Sequence, residues 1–122
     1  MLNKIQLYHH IIDLGAHSSD SVDYAEYGHL VGNSVANKEA DRGIVLCGSG
    51  IGMSIVANKH KYIRAALCHD IKSAKLSRQH NNANVMTIGA RLTAKNVALK
   101  CVNVFMKTNF KGGRHLRRIK KI

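Results

Sequence analysis

Short apolar runs alternate with segments of helical period along most of this chain. HHIIDLG (9–15) reads as a strand closed by glycine. DYAEYGHLVGNSVANKEA (23–40) reads as a helix, with Asp23 and Glu26 at capping-box spacing. GIVLCG (43–48) is an apolar strand and IGMSIVANK (51–59) a short helix. YIRAALCH (62–69) is a third strand, after which Asp70 caps a helix through DIKSAKLSRQH. NVMTIGA (84–90) is a fourth strand. Thr93 is expected to cap a helix to about residue 108, because Val97, Cys101 and Phe105 recur at i, i+4 and i+8. KGGRHLRRIKKI (111–122) reads as a basic helix after a glycine turn, and LNKIQLY (2–8) as a partial helix.

Strands alternating with helices predict βαβ units, hence an α/β domain with a parallel sheet and right-handed crossovers. The strands are apolar throughout, as expected when helices cover both faces. Ligands of such sheets bind beyond the carboxyl ends of the strands. That edge carries the turns at Gly15, Cys47, His69-Asp70 and Gly89.

Composition narrows the picture. A chain of 122 residues, 45% hydrophobic, fits a single domain over 1–122 with a real core. No apolar run is long enough for a membrane span, and no apolar h-region of a signal peptide opens the chain. Three cysteines, scattered and without CxxC spacing, argue against a disulfide framework or a zinc site and fit a reducing cytoplasm. The net charge of +12 points to an anionic partner. Two Phe and no Trp leave few stacking platforms for bases, which makes nucleic acid the less favoured one.

The candidate chemistry centres on LCGSGIGM (46–53). Gly48, Gly50 and Gly52 follow a strand and enter a helix whose free N–H groups can face an anion. The spacing GxGxG fails the dinucleotide fingerprint and lacks the Lys-Ser/Thr of a P-loop. Cys47, just before a helix N-terminus, is placed to act as a thiolate base or nucleophile, or to be a small buried hydrophobe. Cys68 and Cys101 read as core. His80, followed by Asn81, ends a helix, where it either caps the dipole or does acid–base work. The other seven histidines read mostly as surface, His9 and His10 excepted. Arg114 and Arg118, four apart on one helix face, could clamp a phosphate or form a solvated face.

DYAEYG, IVLCGSGIGMSIVANK, IRAALCHD, SRQHNNANVMTIGAR and KGGRHLRRI, in this order and spacing, resemble type B ribose-5-phosphate isomerase, a family that includes galactose-6-phosphate isomerase. The likeness runs from about Ile11 to Ile119. It implies a Rossmann-like three-layer domain, usually a homodimer with sites shared across its interface. It implies interconversion of ribose 5-phosphate and ribulose 5-phosphate with no metal or cofactor. By motif, Cys47 matches the base that moves a proton between C1 and C2, and Ser49 a hydroxyl on the sugar. The N–H groups from Gly48 through Gly50 and Ile51 to Gly52 match an oxyanion hole. His80 matches the residue that helps open the furanose ring, and Asn81 its neighbour in binding. Tyr24, Arg91, Arg114 and Arg118 match contacts to substrate and phosphate. Retention of SRQHNNAN and GGRH favours the ribose branch.

The chain departs from that family at its start. Members open on a strand, inside the sheet, that ends in a Ser-Asp-His-Ala-Gly-like motif with two site residues; neither residue is here. DYAEYG also has Ala25 where proline is usual. The expectation is therefore a family isomerase by descent that lacks its first strand. The alternatives are an inactive dimer partner or remnant, and a basic nucleic-acid-binding α/β module.

Overall fold

The computed structural model describes residues 9–16 and 23–122. Within them, β1 (Gly43–Cys47), β2 (Ala65–Leu67) and β3 (Val85–Gly89) form a parallel sheet in the order β1-β3-β2. The helices are α1 (Tyr24–Ala36), α2 (Ile51–Ala57), α3 (Ile71–Asn81), α4 (Lys95–Lys107) and α5 (Arg114–Ile119). β3 is buried at all five positions, as a strand covered on both faces must be. Met86 and Ile88 pack on one face with Ala74 of α3 and Ala98, Cys101, Val102 and Phe105 of α4. Val45 and Val85 pack on the other with Val35 of α1 and Met53 and Ala57 of α2. The result is the expected three-layer α/β domain.

Glycine sets how closely the second layer packs. A Cβ on Gly28 would lie 2.8 Å from Val56, so α1 meets α2 with no room for a side chain there. Asp70 caps α3 in a reciprocal box: its carboxylate accepts the Ser73 N–H at 2.6 Å, and Ser73 Oγ accepts the Asp70 N–H at 3.3 Å. Those bonds hold the Asp70 carboxyl below its ordinary range, the Ser73 backbone bond contributing most.

Several sequence expectations shift. HHIIDLG (9–15) is not a strand. A strand needs a ladder for its backbone groups; among the described residues this segment has none, and it lines a cavity of about 1550 Å³ together with β1. Gly43 and Cys47 turn their backbone groups to the β3 side, through Gly43 N–H to Asn84 O and Ala90 N–H to Cys47 O. Ile44 and Leu46 therefore turn theirs to the outer edge, where no strand pairs among the described residues. Val31 and Val35 of α1 and Val102 and Met106 of α4 wall the same cavity.

Asp23 makes no side-chain cap; the Glu26 N–H bonds its carbonyl instead. α1 stops at Ala36 rather than 40 because the chain turns through Lys38 at φ 62°. The third expected strand shrinks to 65–67, since Tyr62 takes φ 71° and Ile63 bonds back to His60. Thr93 does not cap α4: Ala94 holds that position, and the Thr93 N–H bonds Gly89 O. The basic tail is helical only over 114–119, after Gly112 and Gly113 at φ 67° and 56°. The partial helix at 2–8 lies outside the described residues.

Candidate active site

The carboxyl end of β1 delivers Cys47 into the glycine loop. Gly50, at φ 77°, turns the chain so that its N–H donates to Cys47 Sγ at 3.1 Å. The next N–H, from Ile51, donates to Ser49 Oγ at 3.2 Å. The N–H groups of Gly48, Ser49 and Gly52 have no protein acceptor among the described residues. The loop therefore places a sulfur, a hydroxyl and unspent donors side by side, which suits a base beside an oxyanion hole.

The loop is braced from β3. The Ala90 N–H bonds Cys47 O at 2.8 Å and the Arg91 N–H bonds Gly48 O at 3.0 Å. Gly89 lets the two backbones touch, since a Cβ there would sit 2.5 Å from Ser49 O. Arg91 folds its guanidinium over Gly48, whose Cβ would lie 3.4 Å from Cζ. Tyr24 covers Gly52, with its ring 2.6 Å from where a Cβ would stand. Tyr24, Cys47, Gly48, Ser49, Ile51, Gly52 and Arg91 all line the large cavity.

The remaining expected site residues stand elsewhere. α3 starts at the carboxyl end of β2 and runs back, so His80 and Asn81 close it at the amino end of the sheet. Arg64, just before β2, confirms the place by donating to Asn81 O at 3.0 Å and Asn82 O at 3.1 Å. α5 packs on α3, so Arg114 and Arg118 share that end. A five-residue strand spans roughly 16 Å. Within one chain the Cys47 cluster and the His80 cluster are thus at opposite edges of the sheet.

Two residues of the second cluster escaped the sequence reading. Arg78 is buried and donates to Thr108 O, Asn82 Oδ1 and Ala83 O, tying the end of α3 to the end of α4. Burial, with Arg42 and Arg64 nearby, lowers its pKa to about 10. His115 is buried against His80, whereas His9 and His10, the expected exceptions, are exposed. An arginine and a histidine in basic surroundings look like surface in a sequence; only the packing of α3 against α4 and α5 buries them. Cys68 and Cys101 are core, as expected. Burial pushes the Cys68 thiol up to about 11 and raises that of Cys101, so both stay protonated and inert.

The sequence profile described as Ribose/Galactose Isomerase matches residues 1–122. A putative sugar phosphate isomerase of Bacillus subtilis is 45% identical over 123 residues, covering 100% of this chain and 81% of that protein. The crystal structure of a ribose 5-phosphate isomerase from Thermotoga maritima superposes with a TM-score of 0.94 at 45% identity, over 98% of this chain and 83% of that one. The ribose-5-phosphate isomerase B of Mycoplasma genitalium, solved with bound ribulose-5-phosphate, gives 0.91 at 42% identity, over 98% and 79%. With the profile matched over residues 1–122 and the fold matched over 98% of its residues, the chain belongs to the ribose/galactose isomerase family.

Proposed function

We propose that this chain interconverts ribose 5-phosphate and ribulose 5-phosphate by proton transfer through a cis-enediolate. The observation that carries the reading is the Cys47 sulfur held by the Gly50 N–H beside the N–H groups of Gly48, Ser49 and Gly52, which have no protein acceptor among the described residues. Cys47 as thiolate takes the C2 proton of the open-chain aldose and returns it to C1. The N–H groups of the Gly48–Gly52 loop hold the enediolate oxygen, and Ser49 bonds a sugar oxygen. His80 moves the proton that opens the furanose ring, with Asn81 binding alongside. Arg114 and Arg118 clamp the phosphate, which fixes orientation at the reacting carbons. Arg91 and Tyr24 close over the loop as further substrate contacts. The ribulose-5-phosphate bound to the Mycoplasma genitalium relative supports a phosphorylated pentose as substrate.

One sugar cannot touch both ends of one sheet. The reading therefore takes two copies, each lending its His80 end to the other's Cys47 end. The carboxyl edge of the sheet offers a surface for this: Ile51, Leu67, Ile71 and Leu92 are 38% to 73% exposed around the loop. The three free cysteines support work in a reducing cytoplasm.

A mixing experiment tests both parts. Wild-type protein is expected to convert ribose 5-phosphate, and neither Cys47→Ala nor the double variant Arg114→Ala/Arg118→Ala alone. Subunit exchange between the two inactive proteins should restore roughly a quarter of wild-type activity, because half the dimers then hold one intact site. A mixture that stays inactive rejects the shared site; an inactive wild type rejects the isomerase.

A further inference from the structure

His115 has no part in the chemistry assigned so far, yet it is the buried histidine of the second cluster, 8% exposed. Its ring lies 4.2 Å from that of His80 and 12° from parallel. Among the described residues the His80 ring makes no hydrogen bond, so the stack is what orients it. That matters because the terminal torsion of a histidine is broad and roughly two-fold, whereas proton transfer needs a nitrogen aimed within hydrogen-bond reach.

The helix that carries His115 is lightly held. α5 is entered through Gly112 and Gly113, both in left-handed φ and with open space around them. The bond from Lys111 N–H to Gln79 O, at 3.1 Å, tethers the approach to α3. Arg114 and Arg118 flank His115 on this helix and are exposed. We propose that His115 is a positioning residue: its stacked ring sets the plane of the His80 imidazole and locks it to the helix that carries the phosphate clamp. The inference rests on the reading of His80 as the ring-opening group.

The charges around it agree. His80 faces His115 from α3, Arg114 and Arg118 from its own helix, and Lys111 from the approach; no carboxylate is among these neighbours. Burial first, then these neighbours, hold His115 below its ordinary 6.5. A neutral ring stacks on a partner that must itself gain and lose a proton. A permanently charged ring there would oppose that proton.

The test separates ring opening from proton transfer. Ribulose 5-phosphate is open-chain, so exchange of its C1 proton with D2O reports the Cys47 step without ring opening. His115→Ala should lower kcat for ribose 5-phosphate on the order of ten- to a hundredfold and leave C1 exchange unchanged. His115→Phe, which keeps a flat ring, should recover most of kcat. Equal losses in both assays would mean a merely structural residue. An unaltered alanine variant, or a phenylalanine variant no better than alanine, overturns the proposal while leaving the isomerase standing. A wild-type chain inert in both assays overturns the isomerase reading, and the role of His115 with it.

Discussion

Replacing Cys47 by alanine is expected to lower turnover on the order of 10² to 10⁴-fold and to leave sugar-phosphate binding in place. The methyl group removes the one candidate base in the loop, while the unspent N–H groups, Arg91 and the Arg114/Arg118 clamp are untouched. kcat should therefore collapse with little change in the dissociation constant, measured by calorimetry with ribulose 5-phosphate. Cys68→Ala is the control. It removes a thiol of the same kind, but one that burial keeps protonated, so it should affect stability and spare chemistry per folded molecule. Turnover by the Cys47 variant within tenfold of wild type would reject the sulfur as base.

Gly50→Ala should be among the costliest single-methyl changes in the chain, about 3 kcal/mol of stability from left-handed strain together with overpacking. The residue sits at φ 77°, and an added Cβ would meet Leu67 Cδ1 at 2.6 Å, Gly89 N at 2.8 Å and Ile88 C at 2.9 Å. Two of those three atoms are backbone of the central strand and cannot swing away. The variant should melt early in urea and, where folded, lose activity, because relief moves the N–H off the Cys47 sulfur. Gly52→Ala offers the contrast. Its Cβ meets the Tyr24 ring, which can rotate into solvent, so stability should hold while the site loses its Tyr24 cover. Equal unfolding midpoints for Gly50→Ala and wild type would reject this account.

The elements with strong local signals were legible in the sequence. The apolar runs at 43–48 and 84–90 are β1 and β3 to within one residue at each end, because strands covered on both faces cannot hide polar positions. Asp70 was legible as a cap because the box it forms spans only four residues. HHIIDLG was misread for the opposite reason: its composition suits a strand, but strandhood belongs to a pair, and among the described residues no strand pairs with it. Asp23 and Thr93 show that a capping residue type does not ensure a cap when the chain finds another bond. At the site, the glycine loop was legible through φ and spacing. The separation of Cys47 from His80 was not, because it depends on α3 returning to the far end of the sheet. His115 was invisible for want of any partner in its own segment.

β3 is the strand hydrogen-bonded on both flanks, and β1 is bonded on one among the described residues. Seen as motion rather than contact, this divides the molecule into a slow-opening centre and a faster-opening margin. Cys47 and its loop lie on the margin, tethered to the centre through Ala90 and Arg91. On the proposed reading, a sugar phosphate bridging the loop and Arg91 would stitch that margin to β3. Its binding energy should then appear as hydrogen-exchange protection along β1, a strand of which only the last residue lines up with the chemistry.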